Sequence, residues 1–133
     1  MSSTTEPTGD PRPRVVTGPG GGSDLAVAGW RCTGCGHPIA QQVSRCPLCR
    51  SVVAGSVFPA EGEIWASTCL RVRVPGHTPP FAVAYLVLDD GPRVLVHTPG
   101  EQPLPPASRA KVTGMSETGD LLAVAAAAVE ETA

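Results

Sequence analysis

The chain has one lysine, five aromatic side chains and no long apolar run. Lys111 and nine arginines give 10 basic residues against 12 acidic ones, a formal net charge of −2. A balance this even provides no field to draw in DNA, RNA or an anionic membrane surface. Trp30, Phe58, Trp65, Phe81 and Tyr85 are too few for an extended base-stacking platform. The longest charge-free apolar run, "LLAVAAAAV" at 121–129, is far short of the ~20 residues of a spanning helix. The opening residues hold no apolar stretch of signal-peptide length, so a cytoplasmic protein without membrane contact is expected. Proline and glycine are plentiful, at 15 each, which favours turns and short strands over long helices.

Four of the five cysteines lie in "WRCTGCGHPIAQQVSRCPLCR", residues 30–50. Cys32 with Cys35, and Cys46 with Cys49, form two Cys-x-x-Cys knuckles. Each turn lets two thiolates converge on one ion, and Gly34, Gly36 and Pro47 suit the tight backbone. Four thiolates at ~2.3 Å close a tetrahedral zinc site with no open position, the mark of a structural ion. Iron in a rubredoxin-like centre satisfies the same ligands and stays as the alternative. His37 beside the first knuckle is expected at the surface, because four sulfurs fill the sphere. A module of about 30 residues cannot stabilise itself by core burial, so the ion has to contribute.

The rest divides by composition. Residues 1–29, rich in Ser, Thr, Pro and Gly, are expected as a disordered leader, with "DLAVAG" at 24–29 the one stretch able to dock as a strand. The zinc ribbon spans 30–60. From Glu61 the pattern turns to period two. "IWASTCLRVRV" puts Ile64, Ala66, Leu70, Val72 and Val74 on one face, and Trp65, Ser67, Cys69, Arg71 and Arg73 on the other. "FAVAYLVLDD" is apolar on both faces and reads as a central strand. "DDGP" turns it into "RVLVHT". "RAKVTGMSE" and "LLAVAA" form a second hairpin around "TGD". About five strands at short spacing imply a mainly β chain with an OB-fold barrel over 61–126, followed by a flexible tail at 127–133.

Catalytic patterns are lacking. There is no serine–histidine–acid set, glycine-rich phosphate loop or carboxylate pair. Cys69, mid-strand, reads as a small apolar residue. His77 and His97 stand near turns and read as ordinary loop residues. Asp89 and Asp90 are turn chemistry.

The ribbon "CTGCG…CPLC", the barrel opening "GEIWAST" and the hairpin "PPFAVAYLVLDDGPRVL" together resemble a family of small zinc-ribbon/OB-fold proteins. That family was long filed only as a domain of unknown function. Its members are accessory partners of thiolase-superfamily and related acyl-CoA enzymes. The resemblance covers roughly residues 30–124. It implies a non-catalytic subunit whose large partner carries the catalytic residues, with Cys32, Cys35, Cys46 and Cys49 as metal ligands and with docking, and in some assemblies coenzyme A binding, as its task. The helical segment that often begins these proteins is replaced here by the Gly/Pro-rich leader, and the prolines between the knuckles by "IAQQVS". Arg71 and Arg73 are the residues suited to coenzyme A phosphates, since guanidinium forks match that geometry. The plainer reading makes them solvated charges guarding a strand edge. The competing function is a single-stranded nucleic-acid module. It calls for a basic groove, whereas residues 61–133 hold nine acids against five bases.

Overall fold

A computed structural model describes residues 11–21 and 24–126. Nine strands are described: β1 (Arg14–Thr17), β2 (Leu25–Cys32), β3 (Pro38–Ile39), β4 (Val53–Pro59), β5 (Glu61–Leu70), β6 (Phe81–Leu88), β7 (Arg93–Thr98), β8 (Arg109–Met115) and β9 (Leu121–Ala125). No helix among the described residues is long and apolar enough to cross a membrane.

Strands β5 to β9 close a barrel in the order β5-β6-β7-β9-β8, with β8 returning to β5. All pairings are antiparallel except β7–β9, where Leu121 opposes Val96. This is a five-stranded Greek-key closure of the OB type, and it leaves no long open edge. The turn "DDGP" reverses β6 into β7, with Asp90 in the left-handed region at φ 52°.

The other strands form a small sheet centred on β2. One side of β2 pairs with β4 from Ala26↔Pro59 to Cys32↔Val53. Along its other side lie β1, from Arg14↔Ala28 to Thr17↔Leu25, and β3 at Trp30 and Arg31. This revises the expected leader. Residues 14–17 and 25–29 are strand, because the apolar run "LAVAG" meets β4 as a partner and covers the barrel. Val27 is fully buried in the same cluster as Phe58, Ile64, Leu86, Val96 and Val112. Residues 1–10, 22–23 and the expected tail at 127–133 lie outside the described residues.

The first barrel strand also departs from its expected course. It ends at Leu70, and Arg71 and Arg73 lie beyond it, exposed. Its register shifts between Ile64 and Ala66, leaving Trp65 as the extra residue of a β-bulge. Past the bulge every side chain changes face. Ser67 and Cys69 now oppose the buried Ala84 and Ala82, and they take the barrel side that strict alternation from Ile64 would assign to Ala66 and Leu70. Ser67 Oγ donates to the Leu104 carbonyl at 2.5 Å, which satisfies its inward hydroxyl.

Two contacts lock sheet to barrel. Arg31 donates to the Gly36 carbonyl at 2.8 Å and to the Asp90 carbonyl at 3.0 Å, so one guanidinium joins the first knuckle to the β6–β7 turn. Its Cζ also lies 5.2 Å from the centre of the Phe58 ring. On the other side, the Val15 amide donates to Met115 Sδ at 3.3 Å.

Candidate metal centre

Cys32 closes β2, Cys46 lies buried in the following loop, and Cys35 and Cys49 are exposed one turn further along each knuckle. Both knuckles use the same backbone device. The amide of the residue after the second cysteine donates to the carbonyl of the first: Gly36 to Cys32 at 3.2 Å, and Arg50 to Cys46 at 2.9 Å. That residue is left-handed in both cases, with φ 80° at Gly36 and φ 69° at Arg50. The amides of Cys32 and Cys46 then donate to His37 and Ser51 carbonyls at 3.0 and 2.9 Å. Knuckle one approaches knuckle two at Gly34, where a Cβ would stand 2.5 Å from Ser51 Oγ.

The four sulfur atoms lie within 4.8 Å of one another. Cys32 and Cys49 sulfurs are 3.4 Å apart, and Cys35 and Cys46 sulfurs 3.8 Å. A disulfide needs about 2.05 Å, so these are free thiols. An ion bound tetrahedrally at ~2.3 Å sets sulfur–sulfur edges of about 3.8 Å, close to what is found. The cluster therefore fits a metal ion.

The surroundings stabilise negative sulfur. Amides of Gly34 and Cys35 donate to Cys32 Sγ at 3.2 and 3.3 Å, and the Leu48 amide donates to Cys46 Sγ at 3.3 Å. The Cys35 amide, followed by that of Gly34, holds the Cys32 thiol below its ordinary value against the opposing effect of burial. Cys49 is lowered to about 6, chiefly by the Ser51 hydroxyl and amide. Cys35 moves the other way. The His37 amide favours its thiolate, but burial and three neighbouring sulfurs outweigh that and push it up to about 11. Crowded thiols that cannot all ionise together are what a cation relieves.

Other candidate residues fall elsewhere. Cys69 is half-buried in β5 and outside the sulfur cluster. Arg71 and Arg73 are exposed beyond β5, and among the described residues neither has a hydrogen-bond or ion-pair partner. The histidines differ from expectation. His97 is within β7, and the fold brings it and His77 to Asp120. No local spacing signals that grouping, since its members come from three separate segments.

No family model matches the chain, and no curated protein matches it. Among solved structures, it is similar to a chain of one described as the Ltp2-ChsH2(DUF35) aldolase, with a TM-score of 0.59 and 19% identity. The match covers 74% of this chain and 84% of that one. The two share a fold.

Proposed function

We propose that this protein is a non-catalytic accessory subunit of a thiolase-like or other acyl-CoA-handling enzyme, docking through its barrel and held rigid by a structural zinc ion at Cys32, Cys35, Cys46 and Cys49. The observation that carries the docking is an apolar patch on the outer barrel face. Trp65 and Leu95 are about half exposed (57% and 48%), and Tyr85 and Val87 flank them. Tyr85 opposes Leu95 and Val87 opposes Arg93 across the β6–β7 ladder, so all four lie on one surface. The Arg93 guanidinium sits 4.3 Å from the Trp65 ring centre and 5.4 Å from that of Tyr85. Aromatic side chains preset around an arginine are what protein interfaces favour. A rigid barrel presents them at little entropic cost. The fold shared with a chain of the Ltp2-ChsH2(DUF35) aldolase supports an enzyme as the partner.

Arg71 and Arg73 are the residues proposed to reach coenzyme A phosphates. Both are exposed just beyond the last residue of β5. The single-strand reading draws on the same patch, but Trp65 and Tyr85 are its two exposed aromatics and Arg93 its one base.

Co-purification from the source cell at low and high salt tests the reading. A thiolase-superfamily or acyl-CoA enzyme should be recovered at both, and a Trp65→Ser, Tyr85→Ser variant should lose it while keeping its metal. Salt-sensitive oligonucleotide binding without an enzyme partner would overturn it. Changing Arg71 and Arg73 to alanine should weaken acyl-CoA handling by the complex and leave assembly intact.

A further inference from the structure

Away from the thiolates, a second group of ligating side chains converges on the barrel. His77 comes from the loop before β6, His97 from β7 and Asp120 from the β8–β9 turn. We propose that these three residues form a separate binding site for a divalent transition ion, through two imidazole nitrogens and one carboxylate oxygen.

Geometry comes first. One ligand atom from each residue lies within 4.8 Å of the other two. Nε2 of His77 is 3.2 Å from Asp120 Oδ2, and Nε2 of His97 is 3.7 Å from Oδ1. The imidazole rings stack at 4.7 Å with planes 14° apart, and Phe81 stacks on His77 at 5.0 Å and on His97 at 5.7 Å. Stacking holds both Nε2 atoms towards the same carboxylate. Bonds of about 2.0–2.1 Å set ligand atoms roughly 3.4 Å apart, close to the two nitrogen–carboxylate distances found.

The carboxylate is itself positioned. Thr118 Oγ1 donates to Oδ2 at 2.8 Å, Ser116 Oγ to Oδ2 at 3.3 Å, and Arg12 to Oδ1 at 3.3 Å. Hydrogen bonds behind a ligating group orient it and are a regular feature of metal sites. Burial holds the His97 imidazole below its ordinary value, against the opposing pull of the Asp120 carboxylate. Burial raises the Asp120 carboxyl, but hydrogen bonds from the Thr118 and Ser116 hydroxyls and the two nearby imidazoles hold it below its ordinary value.

Access is open. A cavity of about 350 Å³ bordered by Gly76, His77, His97, Thr118 and Asp120 meets solvent, and the three ligand side chains are 14–22% exposed. Imidazole and carboxylate together suit zinc, cobalt or nickel. Three protein ligands leave a coordination position for water or a partner's side chain, unlike the closed thiolate site. Because Arg12 shares Asp120, the ion binds here more weakly than at four thiolates. Titration should fill the sulfur site first.

The full-length chain, without a histidine tag, tests this through cobalt titration and metal analysis. Cobalt should first give an intense thiolate charge-transfer band. Further cobalt should then bind to about a second equivalent without adding to that band. His77→Gln and His97→Gln should each lose the second ion and retain the thiolate band, which also reports that the variants are folded. Independently, zinc added beyond the first equivalent should shift the imidazole nitrogens of His77 and His97 in the unaltered protein. Saturation at one ion per chain, or histidine resonances unmoved by the second, would overturn the site. So would a second ion that both variants keep, since it must then lie elsewhere.

Discussion

Gly36 and Arg50 occupy the same place in two equivalent turns. Each follows the second cysteine of its knuckle, each is left-handed, and each donates its amide to the first cysteine's carbonyl. An arginine there carries a Cβ strain that glycine avoids, on the order of 1–2 kcal/mol. Arg50→Gly should therefore stabilise the metal-bound protein by about 0.5–1 kcal/mol, part of the gain being lost to the freer unfolded chain. Gly36→Ala, whose Cβ would meet nothing within 4 Å, should destabilise by about 1 kcal/mol through the backbone alone. Chemical denaturation of both variants beside the parent measures the pair.

Metal removal is the second test. Purified protein should carry one zinc ion at the thiolate site, and Cys46→Ala, which deletes a buried ligand, should abolish it. Zinc affinities of ~10–16 kcal/mol in finger-sized modules indicate that the knuckles lose their folded signals with the ion. Acid should release it too, because thiolates that take up protons no longer ligate. Elemental analysis across a pH series, read with amide spectra, checks both statements.

Gly62 gives the sharpest packing prediction. A Cβ at this position would stand 1.9 Å from the Val87 carbonyl oxygen and 2.7 Å from Leu88 Cα, which are backbone atoms of the neighbouring barrel strand. Those atoms cannot swing aside. Gly62→Ala should cost about 3 kcal/mol or more. Gly114→Ala, with nothing within 4 Å, should be near neutral, so thermal melts of the two variants should differ by many degrees.

The pH dependence of stability has an identifiable source in Asp89. Arg109 grips its carboxylate with two donors, at 2.9 and 2.6 Å, joining β8 to the β6–β7 turn. That hydrogen bonding holds Asp89 below its ordinary value of 3.8. A lowered carboxylate contributes its full stabilisation above the unfolded value and loses it as pH falls through the folded one. Both side chains are nearly half exposed, which limits the pair to about 0.5–1 kcal/mol. Asp89→Asn should cost that much at pH 5–7, and the difference should shrink as pH falls below the ordinary carboxylate value of 3.8 towards the lower folded one. Urea unfolding at several pH values reads it directly.

The sequence by itself determined the metal knuckles, the turn at Asp89–Gly91 and most of the barrel's strands. The reason is that each is set by neighbours a few residues apart. Cys-x-x-Cys turns and a two-residue side-chain period are local properties, and so they are legible without knowing what lies across the fold.

Tertiary structure alone decided three other features. Leu25–Gly29 is strand rather than leader because Val53–Pro59 supplies its ladder partner and the barrel core buries Val27. The bulge at Trp65 inverts the expected faces of Ser67 and Cys69, and it follows from fitting β5 to β6. His77, His97 and Asp120 meet only because β7 and β9 lie side by side in parallel. In each case the deciding contact joins residues far apart in the chain, and no local pattern encodes its register.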